Sequence, residues 1–186
     1  MRHTHDNYPT PHSIIDATIL TLWGMPNFNQ VLVSPVWTPW EPCAGDGRFA
    51  DAIDKRRELA HRNQCRPGSP VHVIQTDITT GEDFFDYDEA LSQCVITNPP
   101  FKVIREFIDH AFDIGVTSMA LVCPERLWAC QKGWEQKQRH NPSHFVNFTW
   151  REDYLQKGGS PDRSLALSIW QYPHNPDTEY LVLNRV

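Results

Sequence analysis

Cys94-Val-Ile-Thr97-Asn98-Pro99-Pro100-Phe101, continued by Lys102 to Phe112, is the stretch on which the fold turns. Cys94 to Thr97 is a short apolar run with β-branched residues, bounded by turn formers, and reads as a buried strand. Pro99 and Pro100 stop it, because proline fixes φ and has no N–H to offer a ladder. From Lys102 to Phe112 the apolar residues Val103, Ile104, Phe107, Ile108 and Ala111 share one helical face. Strand, rigid turn and helix follow without a gap. That is the repeating unit of an α/β domain.

Working outward, the same alternation continues. Downstream, Ser118 to Cys123 is a buried strand stopped by Pro124, and residues 125 to 139 read as helix. Phe145 to Trp150, Leu165 to Tyr172 and Tyr180 to Leu183 read as three more strands with no helix between them. Upstream, Val71 to Gln75 reads as a strand closing at Thr76-Asp77, and Asp83-Phe84-Phe85 as a short extended piece. Val36 to Trp40 reads as a short buried strand, with Pro35 and Pro39 blurring its limits. Arg48 to Arg62 has helical spacing at Phe49, Ala52, Ile53 and Leu59, and Asn63 to Pro70 reads as a loop. Ser13 to Trp23 reads as an amphipathic helix, N-capped by Ser13 and ended by Gly24 and Pro26. The expectation is one α/β domain over 1–186 with a Rossmann-like, mainly parallel sheet. Helices cover both faces and an antiparallel C-terminal strand closes the sheet.

Two turns carry chemistry. Glu41-Pro42-Cys43-Ala44-Gly45-Asp46-Gly47 lies between a strand and a helix, where glycines let the backbone approach a ligand and the helix offers its first amides. It lacks the third glycine of a dinucleotide fingerprint and the Lys-Ser/Thr of a P-loop. An acid beside a short Gly-x-Gly suits a nucleoside without phosphates, although an ordinary strand-helix turn has the same pattern. Asp77 ends the next strand, where a carboxylate can accept from two ribose hydroxyls. Asp83-Phe84 fits either an acceptor and ring for an adenine or a turn acid beside core rings.

Asn98-Pro99-Pro100-Phe101 is more specific. The Asn98 side-chain oxygen and the Pro99 carbonyl can both accept hydrogen bonds from one planar amino group. Such an amine delocalises its lone pair and is a poor nucleophile. Two acceptors on its hydrogens favour a pyramidal nitrogen with an available pair, and no ionisable base is needed. Phe101 adds a ring face for a base or amide.

Tyr8-x-Thr10-Pro11, Glu41-x-x-x-Gly45-x-Gly47, Asp77 and Asn98-Pro-Pro-Phe101 together resemble the S-adenosylmethionine-dependent amino-group methyltransferases. They are most similar to the N6-adenine DNA methyltransferases, including small phage-borne members. The resemblance spans roughly residues 7 to 172. It implies S-adenosylmethionine as cofactor. Glu41, Pro42, Ala44, Gly45 and Gly47 would line its methionine part, with Tyr8, Thr10 and Pro11 closing over it. Asp77 would hold the ribose, and Asp83 with Phe84 the adenine. Asn98, Pro99, Pro100 and Phe101 would hold the target amine, in DNA. Cys43 departs from the family, which more often has another small residue there. The chain after Phe101 is also short for a separate target-recognition domain. Glu125-Arg126, Trp128 and the loop Lys157 to Arg163 are candidate substrate contacts or solvated surface. The same tetrad serves methylation of RNA amines and of a protein glutamine. A cofactor-binding protein without catalysis would be expected to have lost the tetrad.

Charge and cysteines narrow the class. The net charge of -6 argues against non-specific coating of nucleic acid, which needs Lys and Arg. The clusters Lys55-Arg56-Arg57, Arg62, Arg66 and Lys132, Lys137, Arg139 read as solvated helix faces. Cys43, Cys65, Cys94, Cys123 and Cys130 form no C-x-x-C, so neither zinc nor a disulfide framework is expected. No apolar stretch suggests a membrane span or a signal core, and a cytoplasmic location is expected.

Overall fold

A computed structural model describes residues 9–34, 36–63, 72–152, 163–171 and 176–185. In chain order the main elements are α1 (His12–Trp23), α2 (Pro26–Leu32), β1 (Trp40–Glu41), α3 (Arg48–Asn63), β2 (Ile74–Gln75), β3 (Cys94–Thr97), α4 (Ile104–Asp113), β4 (Ser118–Pro124), α5 (Gln131–Arg139), β5 (His144–Glu152), β6 (Arg163–Trp170) and β7 (Glu179–Leu183). Short 3₁₀ turns lie at Ile78–Thr80, Phe84–Asp86 and Glu125–Trp128.

The seven strands form one sheet in the order β2-β1-β3-β4-β6-β5-β7. Every pairing is parallel except those of β6, which runs antiparallel to both β4 and β5. The expected antiparallel C-terminal strand is therefore present, and it lies inside the sheet.

Side chains alternate across the sheet with period two. Cys94, Ile96, Ala120, Val122, Val146, Leu165, Leu167 and Ile169 join one buried cluster with α1, α2 and α3 residues such as Ile15, Phe28 and Ile53. Val95, Met119, Leu121, Cys123, Phe145, Ala166 and Trp170 join the other, beneath Ile104, Phe107, Ile108 and Ala111 of α4. Burying Phe107 alone contributes about 1.5–3 kcal/mol. Helices thus cover both faces, as the β3–α4 stretch implied.

The structure differs from the sequence reading in several places. Ser13 does not cap α1. Pro11 stands at the N-cap with extended backbone, and the Ser13 hydroxyl donates to the Glu152 carboxylate at the end of β5. Pro26 begins a helix instead of ending one: it opens α2, since a first-turn proline forfeits no intrahelical bond. The expected strand Val36 to Trp40 shrinks to Trp40–Glu41. Val36 and Trp37 are 72% and 65% exposed, and Pro39 cannot donate to a neighbour. Asp83-Phe84-Phe85 is part of a 3₁₀ turn, not an extended piece. The helix expected over 125–139 is split into a 3₁₀ turn and α5.

The basic face of α3 is also corrected. Arg57 is fully buried, and its guanidinium donates to the Val31, Ser34 and Trp37 carbonyls at 3.3, 3.1 and 3.0 Å. It ties α3 to the proline-rich segment before β1. No helix among the described residues is long and apolar enough to cross a membrane.

Candidate active site

β1, β2 and β3 are parallel neighbours, so their C-terminal ends open on one edge of the sheet. Ligands of open α/β sheets bind at that edge. The three sequence motifs all emerge there.

The glycine turn leaves β1 after Glu41. Gly45 and Gly47 have φ of 56° and 79°, a left-handed backbone that costs other residues about 1–2 kcal/mol. A Cβ on Gly47 would also come within 3.2 Å of Gln75 Oε1. The turn is fastened to the β2 end: Ala44 N–H donates to the Thr76 carbonyl at 3.1 Å, and Gly45 N–H to Asp77 Oδ2 at 2.8 Å. The other Asp77 oxygen accepts from Thr79 N–H at 2.8 Å. Burial alone would raise the Asp77 pKa, but the bonds from Thr79 and Gly45 outweigh it and hold the carboxyl below its usual range. Asp77 therefore stands ionised and pre-positioned.

Glu41 is 2% exposed. It accepts from the Ala50 backbone, while its Oε2 is buried without a hydrogen-bond partner. Burial pushes its pKa well above the usual glutamate value, against the Ala50 bond and with added repulsion from Asp46, Asp77 and Asp51. Cys43 lies in the same knot: burial raises its thiol pKa, and Asp77, Glu41 and Asp83 repel its thiolate form. The thiol is neutral, so Cys43 serves as a small space-filling group.

Asn98 follows directly on β3. Its Nδ2 donates to Thr10 Oγ1 at 3.0 Å, and its Oδ1 is buried with no hydrogen-bond partner. Pro99 is buried, while Pro100 and Phe101 are half-buried. The Pro100 carbonyl accepts from Val103 N–H at 3.2 Å, which closes the turn into α4. Phe101 packs against both buried clusters.

Thus the N-terminal segment, the glycine turn, the β2 end and the tetrad are brought together. Pro11 starts α1 beside Thr10, whereas Tyr8 lies outside the described residues. Asp83 is buried and accepts from Phe85 N–H at 3.0 Å. Phe84 is 3% exposed, with its ring stacked on Phe107 at a centroid distance of 4.0 Å. Its ring belongs to the buried cluster under α4.

Of the outlying candidates, Trp128 is half-buried against the core. Its indole N–H donates to Ser168 Oγ at 3.0 Å, and it packs beneath the α4 face. Glu125 and Arg126 are exposed at the C-terminal end of β4, on the site's edge. The loop over 157–162 lies outside the described residues. A groove of about 350 Å³ runs between Trp23, Asn29, Arg56 and Asn63, at the ends of α1 and α3 remote from Thr10 and Gly47.

No protein-family profile matches the chain, and no curated protein sequence does. Solved structures do match it in fold. The methyltransferase subunit of a type I restriction-modification system from Streptococcus thermophilus superposes with a TM-score of 0.62 at 10% identity, covering 97% of this chain and 48% of that one. A class I S-adenosylmethionine-dependent methyltransferase from Listeria monocytogenes superposes with a TM-score of 0.61 at 11% identity, covering 98% and 68%. The EcoKI M protein superposes with a TM-score of 0.59 at 13% identity, covering 95% and 48%. The chain spans about half the length of the first and third. Its fold is the Rossmann-like methyltransferase fold.

Proposed function

We propose that this chain is an S-adenosylmethionine-dependent methyltransferase domain acting on the N6 amino group of adenine in DNA. The observation that carries the reading is Asn98. Its amide hydrogens are tied to Thr10 while its oxygen stands buried and unpartnered directly after β3. A buried acceptor left open carries a desolvation cost, and an amino group presented by a ligand would relieve it.

The residues present fit the cofactor. The Glu41 Oε2 is a second open, buried acceptor, suited to the ammonium of the methionine part. Asp46, Asp77 and Asp83 bias the pocket toward a cationic ligand. Asp77 would hold the ribose, with Asp83 and Phe84 at the adenine end. Pro42, Ala44, Gly45 and Gly47 would line the methionine end, with Tyr8, Thr10 and Pro11 closing over it. When bound, S-adenosylmethionine supplies a methyl group on a sulfonium, already a strong electrophile.

The chain's work is then placement and electrostatics. A base swung out of the duplex costs a few kcal/mol, and stacking on Phe101 offsets about 1–3 kcal/mol of it. Asn98 Oδ1 and the Pro99 carbonyl would accept the two amine hydrogens and so leave the nitrogen lone pair available for the methyl group that the cofactor would supply on its sulfonium. The surplus proton departs from the methylated nitrogen to solvent. The acidic charge of the body is compatible with DNA only if contacts are local, which makes Arg126 at the rim the natural phosphate partner.

The test is transfer of labelled methyl from S-adenosylmethionine to mixed-sequence DNA, read by nucleoside mass analysis. The expected product is N6-methyladenine, and Asn98→Ala should abolish it while leaving cofactor affinity within about threefold. Near-normal turnover by Asn98→Ala would sink the mechanism. Label that enters RNA or a protein glutamine and never DNA would move the substrate.

A further inference from the structure

The Thr10 to Asn98 hydrogen bond joins groups 88 positions apart and pins one end of a carboxamide. A carboxamide has nearly the same shape when turned by half a rotation, but its two ends are chemically opposite. With the oxygen facing the pocket it receives an amine's hydrogens. With the NH₂ facing the pocket it meets that amine donor to donor. Asn98 is held on the side chain's nitrogen by a residue that is itself 7% exposed, and the oxygen is left free of partners.

We infer that Thr10 is a positioning residue for the amine-binding end of the site: its hydroxyl oxygen takes the Asn98 NH₂ and thereby keeps the Asn98 carbonyl turned toward the substrate's amino group. This rests on the reading of Asn98 as the amine acceptor, and it gives Thr10 a task distinct from contact with the cofactor. Without the hydroxyl, the inward-oxygen arrangement leaves a buried NH₂ donor unpaired, so the carboxamide gains reason to turn over. The substrate amine would then have to turn it back at each encounter. Thr10 acts through Asn98, so its effect persists in the turnover rate at saturating cofactor.

The variants are Thr10→Val, which keeps the shape and removes the acceptor, and Thr10→Ser, which restores it. Two readouts are taken on the full chain. The first is the side-chain amide resonance of Asn98 in protein with isotope-labelled asparagine amides, identified by its loss in Asn98→Ala. The second is methyl transfer at saturating cofactor and DNA. Thr10→Val should shift that one resonance and lower turnover at saturating cofactor roughly 10- to 100-fold. Thr10→Ser should recover both the resonance and the rate. In an Asn98→Ala background, Thr10→Val should have no further effect on turnover.

An unmoved resonance in Thr10→Val overturns the contact itself. A moved resonance with full turnover overturns the positioning role, as does a loss that saturating cofactor repairs. If Asn98→Ala keeps full turnover, the reading of the site fails and the inference fails with it. A dead Asn98→Ala beside a fully active Thr10→Val removes this inference alone.

Discussion

Glu41 is a carboxylic acid held where a carboxylate is costly. It is buried among Asp46, Asp51 and Asp77, with one oxygen unpartnered. Its folded pKa lies above its unfolded one, so the folded state holds the proton more tightly. The stability it permits is full below the unfolded pKa and is lost as pH rises toward the folded value. Glu41→Gln cannot ionise and escapes that loss. In the absence of cofactor, the melting temperature of Glu41→Gln minus that of the natural chain should grow as pH goes from about 4 to about 8. A difference that stays flat over that range would show Glu41 to be ionised in the fold. Asp77 has the opposite sign, because its lowered pKa gives a contribution present at neutral pH and lost on acidification. Sequence marked both acids as site residues through their strand-end positions. It could not tell the acid whose pKa burial raises from the one whose pKa its bonds lower, because that depends on burial and on partners far along the chain. Arg57 shows the same limit. In sequence it is one of three consecutive cations, and only folding reveals that it points inward to three carbonyls.

Elements were most legible where a single period dominates. The β3 strand runs over Cys94–Thr97, where its apolar run places it, and α4 occupies Ile104–Asp113. Proline was the weak point, since the same residue closes a helix or opens one according to which side the chain packs on. Hence α2 was missed and β1 overextended. In α5 a glycine, Gly133, stands in the first turn, where a residue with a side chain would favour the helix more unless something needs the space. A Cβ on Gly133 would meet the Leu127 carbonyl at 2.6 Å and the Trp128 backbone at 2.8 Å. The helix lies directly on the 3₁₀ turn that ends β4, where Arg105 reaches the same Leu127 carbonyl and Gln136 Oε1. Gly133→Ala should therefore cost about 1–3 kcal/mol by overpacking despite alanine's better helix propensity. Chemical denaturation would read it as a lower midpoint with an unchanged slope. A stabilised variant would mean that α5 and the turn separate freely.

At the scale of the molecule, adjacent parallel strands deliver the glycine turn, Asp77 and Asn98 to one edge, and α1 begins beside them. The motif order along the chain made that convergence readable. The Thr10–Asn98 bond was not, because no local spacing announces a contact across the length of the N-terminal half. The place of β6 was equally hidden, since three consecutive strands do not declare their spatial order. It pairs with β4 from Met119 to Pro124 on one side and with β5 on the other. A chain ended after residue 152 should thus lack dispersed amide resonances, whereas one ended after residue 171 should keep them, having lost only the edge strand β7. A folded 1–152 fragment would contradict the role given to β6.

That central strand also sets the timing of synthesis. A ribosome makes β4 and β5 before β6, so each of these strands waits with an unsatisfied edge until residue 170 has cleared the exit tunnel. Long-range pairing of this kind is slow and leaves apolar strands open to other nascent chains. Yield in a cell should accordingly depend on chaperones that hold the chain until β6 has paired, more than on the intrinsic strength of the completed sheet.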